Sequence, residues 1–527
     1  MLIKGRDRLR ALSTRRREPG WLLRLSIAAV LISGASSLAF AQGMADKVKA
    51  ITPELEAYVE NSMKQFDDPG LAIGIVTGDK LVYARGFGVR RKGGQPVDTK
   101  TVFQIGSTTK AFLATTMAIG VDRKKFAWDD RVVDLHPGFQ MADPWVTREF
   151  RLFDLLTQRS GLPAEVNDFV GMLGATQAEM VASLRAVEPI SSFRMSFSYT
   201  NVTHILAGQI VADRFGKNDW DSVVRETIFE PLGMKNTSLT AAEIEANPNH
   251  ADGYRWTSAG TVEVPFTQVF PYNFAGAGAI NSNIEDLGAW VRLHLAGGSL
   301  DGKRIVAEQS LAFTKTPRTP LNDKIVYAMG WVVQLTPNGN IVWHNGGTTA
   351  FGAFIGTVQD KDVGVIVLTN ETNVGLPDAL GEWLLYKLLD NPVGDLVALK
   401  LKSAKDAEAA SNALFAAPAT ALATPPLKAL AGIFSNGSFG EATLTENNGA
   451  LALKLDRTGA VLDLNPRGGH LFDITLRPEG RFAAVTANLG PTPIGFAEFQ
   501  ADPSGSYNRL ALLLPDNGQS YVFTRKE

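Results

Sequence analysis

The sequence predicts an α/β (α+β) domain followed by a smaller all-β domain. In residues 42–405, segments of strand character lie at both ends and mostly helical segments lie between them. This order implies an antiparallel sheet flanked by helices and closed by the two ends of the domain, with a helical region beside it. In residues 427–527, short apolar stretches alternate with turns, which is typical of an antiparallel barrel.

The elements of the first domain follow from the spacing of its apolar residues. Ala45–Asp67 carries apolar side chains near helical spacing, which predicts an amphipathic helix. Two strands are predicted next, Leu71–Thr77 and Lys80–Val89, joined by a tight turn at Gly78-Asp79. The remaining predictions for this domain are helices from Ser107 and over Val202–Phe215, strands over Val326–Leu335, Asn340–His344, Ala353–Gln359 and Val363–Thr369, and a helix over Pro377–Leu389.

A change of composition separates the two domains. Residues 406–426 are rich in alanine and end in Thr424-Pro425-Pro426, which predicts a linker. A barrel behind it could bind a ligand, but we favour a lid or oligomerisation module with a packed interior. Its predicted strands are Glu441–Thr445, Ala450–Leu455, Val461–Leu464, His470–Leu476, Ala483–Leu489, Ile494–Phe499, Arg509–Leu514 and Tyr521–Thr524.

The N-terminus predicts export. A basic leader precedes an apolar run over Leu25–Leu38, and Ala39-Phe40-Ala41 follows, so residues 1–41 are predicted to be a cleaved signal peptide. The run is shorter than the roughly 20 apolar residues that span a bilayer, so we expect a periplasmic or secreted protein without stable membrane insertion. This segment holds eight basic and two acidic side chains, so the formal net charge of −2 becomes −8 without it. A nucleic acid is therefore not an expected partner.

The composition narrows the chemistry further. Hydrophobic residues at 45% and charged residues at 20% are ordinary for a globular protein. The chain has no cysteine, which excludes disulfides, thiolate nucleophiles and Cys-ligated metals. Five histidines lie outside the motif described below and lack the spacing of metal ligands: His136, His204, His250, His294 and His470. We therefore expect neither a metal nor another cofactor.

Ser107 and Lys110 form a Ser-x-x-Lys pair at the predicted start of a helix. Residues three apart lie on one helix face, so the lysine amine can reach the serine hydroxyl. The apolar residues that follow Lys110 would desolvate its ammonium group and lower its pKa towards a value useful in a base. The pair alone is a short pattern, but Tyr199-Thr200-Asn201 and His344-Asn345-Gly346-Gly347 follow it in order.

These three motifs resemble those of the penicillin-recognising serine hydrolases, in the branch of class C β-lactamases, D-aminopeptidases and related esterases. Flanking segments extend the resemblance over residues 45–395: Pro69–Val76, Leu155–Pro163, Phe229–Thr237, Tyr327–Trp331 and Val367–Asn370. The resemblance implies a serine β-lactamase/transpeptidase-like fold with its active site in the groove between sheet and helical region. The C-terminal barrel is similar to the lipocalin-like domains that some members carry.

The resemblance also implies a role for each motif residue. Ser107 would be acylated, and its proton would pass towards Lys110 and Tyr199, whose phenol can act as a base if ammonium charge lowers its pKa. Asn201 would bind the substrate's amide or acyl side chain. The N–H groups of Ser107 and Gly347 would form an oxyanion hole, because Gly346-Gly347 lets the substrate backbone approach closely.

His344 departs from the pattern of the β-lactamases, in which a lysine supplies a fixed charge for the substrate carboxylate. An imidazole is charged only part of the time near neutral pH, which argues against β-lactam hydrolysis. In the family's peptidases and esterases, a histidine here can hydrogen-bond the tyrosine or the substrate. We therefore expect catalytic residues Ser107, Lys110, Tyr199 and His344.

The function expected from these motifs is hydrolysis of an amide bond in a small peptide, including peptides with D-residues. Linearised microcystin, which one member of the family cleaves, is a narrower candidate. A carboxylesterase and a non-hydrolysing penicillin-binding or sensor protein remain alternatives. The expected partners are a peptide or ester substrate and a second copy of the chain, bound through the barrel.

Overall fold

The computed structural model describes residues 22–418, 422–514 and 520–526. Of the predicted signal peptide, residues 1–21 lie outside the described residues, and residues 22–41 are described only as helical backbone. In the described part of the chain, no helix has the length and apolar composition needed to cross a membrane.

The helices are distributed over both domains. In chain order they are α1 Leu22–Phe66, α2 Thr109–Asp122, α3 Val132–Leu135, α4 Pro144–Glu149, α5 Asp168–Met172, α6 Gln177–Ala182, α7 Val202–Phe215, α8 Trp220–Val224, α9 Glu230–Leu232, α10 Ala241–Ala246, α11 Ile284–Leu295, α12 Glu308–Thr314, α13 Leu376–Leu388, α14 Leu396–Leu414, α15 Leu427–Leu430 and α16 Phe482–Leu489. Short 3-10 turns cover Gly106–Thr108, Leu152–Leu156, Ser183–Ala186, Tyr272–Ala277 and Gln359–Lys361, and a π turn covers Arg225–Phe229.

The strands form one large sheet, three small two-stranded sheets and a barrel. They are β1 Gly70–Thr77, β2 Lys80–Gly88, β3 Phe103–Gln104, β4 Gly253–Arg255, β5 Val262–Val264, β6 Asn281–Ser282, β7 Ser299–Leu300, β8 Lys303–Arg304, β9 Thr319–Pro320, β10 Ile325–Tyr327, β11 Val332–Gln334, β12 Ile341–Gly347, β13 Gly352–Val358, β14 Val363–Thr369, β15 Gly432–Asn436, β16 Gly440–Asn447, β17 Ala450–Leu455, β18 Val461–Gly468, β19 Leu471–Leu476, β20 Gly495–Ala501, β21 Tyr507–Leu513 and β22 Ser520–Arg525.

The large sheet is antiparallel, in the order β2-β1-β14-β13-β12-β11-β10-β9. The first and last long strands of the domain in chain order, β1 and β14, are neighbours in this sheet, with Ile73 of β1 opposite Val367 of β14. The two ends of the domain therefore close the sheet, which confirms the predicted α/β fold class. The predicted strand Val326–Leu335 is two short strands, β10 and β11, because the chain turns through Ala328-Met329-Gly330 between them.

Helices cover both faces of this sheet. Ile73 and Ile75 of β1 pack in one apolar cluster with α1 and α13, while Ala72 and Val76 point to the opposite face and pack in the cluster that contains α11 and α2. This alternation is the period of two expected of a strand, here with both faces buried. Helix α2 is buried over almost its whole length, from Thr109 to Gly120, so it forms the core between the sheet and the helical region.

Strands β15 to β22 form a closed, eight-stranded antiparallel barrel, as predicted, in which β15 pairs with β22. Alternate side chains such as Phe434, Leu453, Phe472 and Leu510 are completely buried in one apolar cluster. In its described residues the barrel interior is therefore packed with side chains, as the favoured interpretation expects. Its role as a lid or an oligomerisation module remains a prediction.

The identity of the eight barrel strands needs one correction. The predicted strand Ala483–Leu489 is helix α16, and the missing strand is β15, which precedes the predicted set. Phe482, Val485 and Asn488 are the buried residues of α16. Their spacing of three residues is that of a helix. The prediction was wrong because it interpreted the apolar residues of this segment as the alternation of a strand.

Helix α14 extends into the predicted linker 406–426 and ends at Leu414, so the first part of this segment is helical; its role as the linker between the domains remains a prediction. Asp395 caps the helix by accepting from Ala398 N–H, and Lys402 pairs with Asp406 one turn later. Alanine, lysine and leucine are strong helix formers, so the Ala-rich composition indicated a helix and not an irregular connection. The irregular segment begins after this helix, and residues 419–421 lie outside the described residues.

Gly381→Ala is expected to destabilise the first domain by about 1–3 kcal/mol. An ideal Cβ at Gly381 in α13 would lie 2.1 Å from Phe354 Cδ1, under the sheet. The matched control is Gly288→Ala in α11, where the nearest atom is Leu81 Cδ2 at 3.5 Å, so alanine should gain up to about 1 kcal/mol from helix propensity. Urea unfolding measures both variants, and equal destabilisation of the two would contradict this packing argument.

Candidate active site

Ser107 lies where the sheet meets the helical region. It is the middle residue of the 3-10 turn Gly106–Thr108, which leads directly into α2. Gly106 has φ +50°, and an ideal Cβ there would lie 2.7 Å from Gly347 N of β12. Only a glycine permits both this backbone conformation and this approach. The turn therefore holds Ser107 against strand β12 at the start of a helix, where developing negative charge is stabilised.

Lys110 is completely buried beneath this turn. Its Nζ donates hydrogen bonds to Ser107 Oγ at 3.0 Å, Asn201 Oδ1 at 2.6 Å and the carbonyl oxygen of Ala277 at 2.8 Å. Desolvation lowers the pKa of Lys110 to about 7, and the negative charges of Asp168 and Glu165 oppose that shift. The predicted pairing of Ser107 with a lysine of lowered pKa is therefore present.

The three partners of Lys110 define what its neutral amine can do. A neutral amine has two N–H donors and one lone pair, and Asn201 Oδ1 and the Ala277 carbonyl oxygen are acceptors only. The two N–H groups therefore stay with these oxygens, and the lone pair faces Ser107 Oγ. This arrangement suits a general base that takes the serine proton.

Tyr199 lies beside the same two residues. The Lys110 Nζ is 4.7 Å from the centre of its ring. Burial raises the pKa of Tyr199 well above its usual range, and a hydrogen bond with Ser107 opposes the rise. The condition for a basic phenolate, a pKa lowered by ammonium charge, is therefore not met, because desolvation has the larger effect. A neutral phenol can relay a proton, so the raised pKa of Tyr199 favours Lys110 over Tyr199 as the base. The catalytic role of each residue remains a prediction.

Asn201 links Lys110 to a carboxylate. It precedes helix α7 without a side-chain cap, so its side chain is directed into the site. Its Oδ1 accepts from Lys110 and its Nδ2 donates to Asp168 Oδ2 at 2.6 Å. Asn201 thus holds Lys110 in place, and its binding of substrate remains a prediction.

His344 lies on β12 and is only 2% exposed. Its Nδ1 lies 2.5 Å from the carbonyl oxygen of Asn345, which requires an N–H there, so its Nε2 accepts from the Tyr327 hydroxyl at 3.0 Å. Desolvation, and then the charge of Lys110, lower the pKa of His344 to about 3. The imidazole is therefore neutral at physiological pH and not partly charged, and its hydroxyl partner is Tyr327. The ring of Tyr199 is nearby, with centroids 6.4 Å apart.

Gly346 and Gly347 end strand β12 next to the nucleophile. Strand β11 pairs with β12 only over Ile341–Trp343, whereas β13 pairs as far as Gly347. An ideal Cβ at Gly346 would lie 1.9 Å from the Ile105 carbonyl oxygen and 3.1 Å from Ser107 N. Gly346 thus lies against the backbone of Ser107, and Gly347 N lies against Gly106 of the same turn. This proximity is what an oxyanion hole requires; the stabilisation of an oxyanion by the N–H groups of Ser107 and Gly347 remains a prediction.

Three further residues of the site were not identified from the sequence. Asp168 and Glu165 act on the charge of Lys110, and Tyr327 binds His344. Tyr327 begins the flanking segment Tyr327–Trp331 that supported the family resemblance. Nothing in the sequence indicated that it binds His344. The carboxylates lie in a loop with no repeating pattern, and Glu165 has φ +57°, which no local sequence signal predicts. In the part of the chain that the structure describes, no group of three or more His, Asp or Glu side chains could hold a metal ion.

Catalysis is expected to fall as the pH drops through about 7, because the Lys110 ammonium cannot accept the Ser107 proton. The measurement is kcat/KM for a p-nitrophenyl ester as a function of pH. Lys110→Arg keeps a cation that does not deprotonate and should lose about 10²–10⁴-fold in activity at every pH. A profile that stays flat well below pH 7 would contradict the assignment of Lys110 as the base.

Gly346→Ala is expected to slow acylation of Ser107 by about 100-fold, because the strand or the turn must move to relieve the contact with the Ile105 carbonyl oxygen. The rate of labelling by a fluorophosphonate probe, measured per folded molecule, tests this. Gly394→Ala is the control, since an ideal Cβ there meets nothing within 4 Å. Labelling of Gly346→Ala at the rate of that control would show that the close approach is not needed.

Comparisons with known proteins agree with this geometry. The family described as Beta-lactamase matches residues 55–387. The chain is 26% identical over 503 residues to an unguisins hydrolase of Aspergillus campestris (strain IBT 28561), covering 89% of this chain and 91% of that protein. It is 29% identical over 250 residues to penicillin-binding protein 4 of Amycolatopsis lactamdurans, covering 47% of this chain and 65% of that protein.

Two solved structures show the same fold. The octameric penicillin-binding protein homologue from Pyrococcus abyssi aligns with a TM-score of 0.59 and 21% identity, covering 90% of this chain and 100% of that chain. A class C β-lactamase from Rhodobacter sphaeroides aligns with a TM-score of 0.52 and 22% identity, covering 68% of this chain and 99% of that chain. The chain belongs to the β-lactamase family of serine hydrolases, which includes β-lactamases and penicillin-binding proteins.

Proposed function

We propose that this protein cleaves an amide bond in a small peptide through an acyl-enzyme on Ser107. The observation that carries the proposal is the 3.0 Å contact between Lys110 Nζ and Ser107 Oγ, with a lysine whose pKa burial lowers to about 7. At neutral pH a large fraction of such a lysine is unprotonated, so it can accept the proton as the serine attacks.

The reaction follows from the positions of these groups. Ser107 Oγ bonds to the substrate carbonyl carbon while its proton moves to Lys110 Nζ, and the carbonyl oxygen becomes an oxyanion beside the N–H groups of Ser107 and Gly347. The C–N bond then breaks, and the leaving amine takes the proton from Lys110 through the Tyr199 phenol. A water molecule then attacks the acyl ester and gives one proton to Lys110 Nζ. The bond between the acyl carbon and Ser107 Oγ breaks, Ser107 Oγ takes that proton back from Lys110, and the acid is released.

The neutral His344 supports a substrate other than a β-lactam. The motif His344-Asn345-Gly346-Gly347 offers no fixed cation for a substrate carboxylate, because the His344 imidazole is buried and its pKa is lowered to about 3. The similarity to the unguisins hydrolases covers 89% of the chain, whereas the class C β-lactamase structure covers 68%. This supports an enzyme that includes the barrel and acts on peptides, including D-residue-containing peptides, with linearised microcystin as a narrower candidate.

We further propose that the protein is exported with removal of residues 1–41 and that it forms a homo-oligomer through the barrel. The basic leader, the apolar run and Ala39-Phe40-Ala41 support export. The fold shared with an octameric homologue over 90% of the chain supports an oligomer. N-terminal sequencing of the exported protein and light scattering after gel filtration test the two proposals.

Labelling and turnover should both depend on Ser107. The chain is incubated with a fluorophosphonate or a penicillin probe, and then with p-nitrophenyl esters and p-nitroanilide peptides. We expect labelling and peptide cleavage, both reduced at least about 10⁴-fold in Ser107→Ala. The matched control is Ser196→Ala, an exposed serine whose hydroxyl binds that of Ser191.

Each other outcome selects a different function. Absence of labelling at Ser107 would contradict an acyl-enzyme altogether. Stable labelling without turnover would favour a penicillin-binding or sensor protein, and turnover of esters but of no peptide would favour a carboxylesterase.

A further inference from the structure

The barrel touches the hydrolase domain at the loop that carries Asp168. The hydroxyl of Tyr521, on the last barrel strand β22, accepts a hydrogen bond from the backbone N–H of Asn167 at 3.2 Å. Both residues are buried. A barrel residue therefore binds the backbone directly before an active-site carboxylate.

Asn167 has a backbone conformation that needs support. Its φ is +64°, in the left-handed region that costs free energy for a residue with a side chain. Its Nδ2 donates to Ser183 Oγ at 2.8 Å, and its N–H donates to Tyr521. These two bonds fix the direction in which the chain enters helix α5, whose first residue is Asp168.

From Asp168, hydrogen bonds continue without a break to the nucleophile. Asp168 Oδ2 accepts from Asn201 Nδ2 at 2.6 Å, Asn201 Oδ1 accepts from Lys110 Nζ at 2.6 Å, and Lys110 Nζ donates to Ser107 Oγ at 3.0 Å. The charge of Asp168 also raises the pKa of Lys110. The position of this loop thus sets both the orientation and the protonation of the base.

A second barrel contact lies on the other side of the site. Asn488 of α16 is buried; its Oδ1 accepts from Thr349 Oγ1 at 2.6 Å and its Nδ2 donates to the Pro265 carbonyl oxygen at 2.8 Å. Thr349 is two residues beyond Gly347, in the turn between β12 and β13. The barrel therefore binds both segments that border Ser107, the loop of Asp168 and the turn after Gly347.

We propose that the barrel is a positioning element of the active site, with Tyr521 holding the loop that orients Lys110 and Asn488 holding the turn that follows the glycines of β12. The inference deepens the function proposed above and rests on it. Neither residue reaches the substrate in this role; both act through the segments that they bind.

Tyr521→Phe removes one hydroxyl group and tests the first contact. We expect kcat/KM to fall about tenfold or more, because small displacements of catalytic groups are costly. The acidic limb of the pH profile should move to lower pH, since Lys110 loses part of the field of Asp168. Glu165, the other carboxylate whose charge raises the pKa of Lys110, lies in the same loop, so its displacement would move the limb in the same direction. His344 is neutral at these pH values and adds no charge. Tyr507→Phe, on the neighbouring strand β21, is the matched control and should leave kcat/KM and the limb unchanged.

Asn488→Leu tests the second contact. It should lower kcat/KM without moving the acidic limb, because Thr349 and Pro265 carry no charge. Thermal unfolding of each variant separates these effects from a loss of folded protein. Amide hydrogen exchange of residues 163–172, which requires no activity, should become faster in Tyr521→Phe and not in Tyr507→Phe.

The outcomes distinguish this inference from the proposed function. Absence of labelling at Ser107 in the wild-type protein would contradict the proposed function. In that case amide hydrogen exchange still tests the positioning role, and unchanged exchange of residues 163–172 in Tyr521→Phe would overturn it. Labelled wild type with wild-type kinetics in Tyr521→Phe overturns only the positioning role. The positioning role is also overturned if the activity lost in Tyr521→Phe equals the fraction of folded protein lost and the acidic limb of the pH profile does not move.

Discussion

The active site depends on the complete burial of one lysine amine. Lys110 Nζ is shielded from solvent and has three hydrogen-bond partners, namely Ser107 in the turn before α2, Asn201 before α7 and the carbonyl oxygen of Ala277. An ammonium ion without water is costly even when it is hydrogen-bonded, and this cost brings the pKa of the lysine near neutrality. Each of the three segments is therefore needed both to shield the amine and to aim its lone pair at Ser107.

The same burial explains why His344 and Tyr199 are neutral. Desolvation, and then the charge of Lys110, lower the pKa of His344. Desolvation also raises the pKa of Tyr199, and its hydrogen bond with Ser107 does not overcome that rise. Tyr327 completes the hydrogen bonding of the imidazole. Next to Ser107 the site then contains one base whose pKa lies near neutrality, Lys110, and two neutral groups, Tyr199 and His344. This arrangement suits transfer of a single proton at neutral pH.

Much of the fold could be predicted because its elements have strong local patterns. Helix α7 has the predicted bounds, and the hairpin of β1 and β2 differs from the prediction by one residue at two ends. The errors lie where composition is ambiguous. Alanine favours helices, and it is frequent in both α14 and α16. An Ala-rich segment can also resemble a loop, as α14 did, and an apolar segment can resemble a strand, as α16 did. Strand β15 buries little besides Phe434 among its five residues, so it gave almost no alternating signal.

The sequence by itself determined the chemistry available to this protein: a serine and a lysine on one helix face, a tyrosine, an asparagine, a histidine and two glycines in order, and no thiol. These assignments depend on residue type and short spacing, which the chain carries locally. Only the tertiary structure decided the states of these groups, because pKa values depend on burial and on charges brought from distant segments. It also placed Asp168, Tyr327 and the barrel residue Tyr521 around the site, since contacts between residues that are 17 to 354 positions apart leave no local pattern.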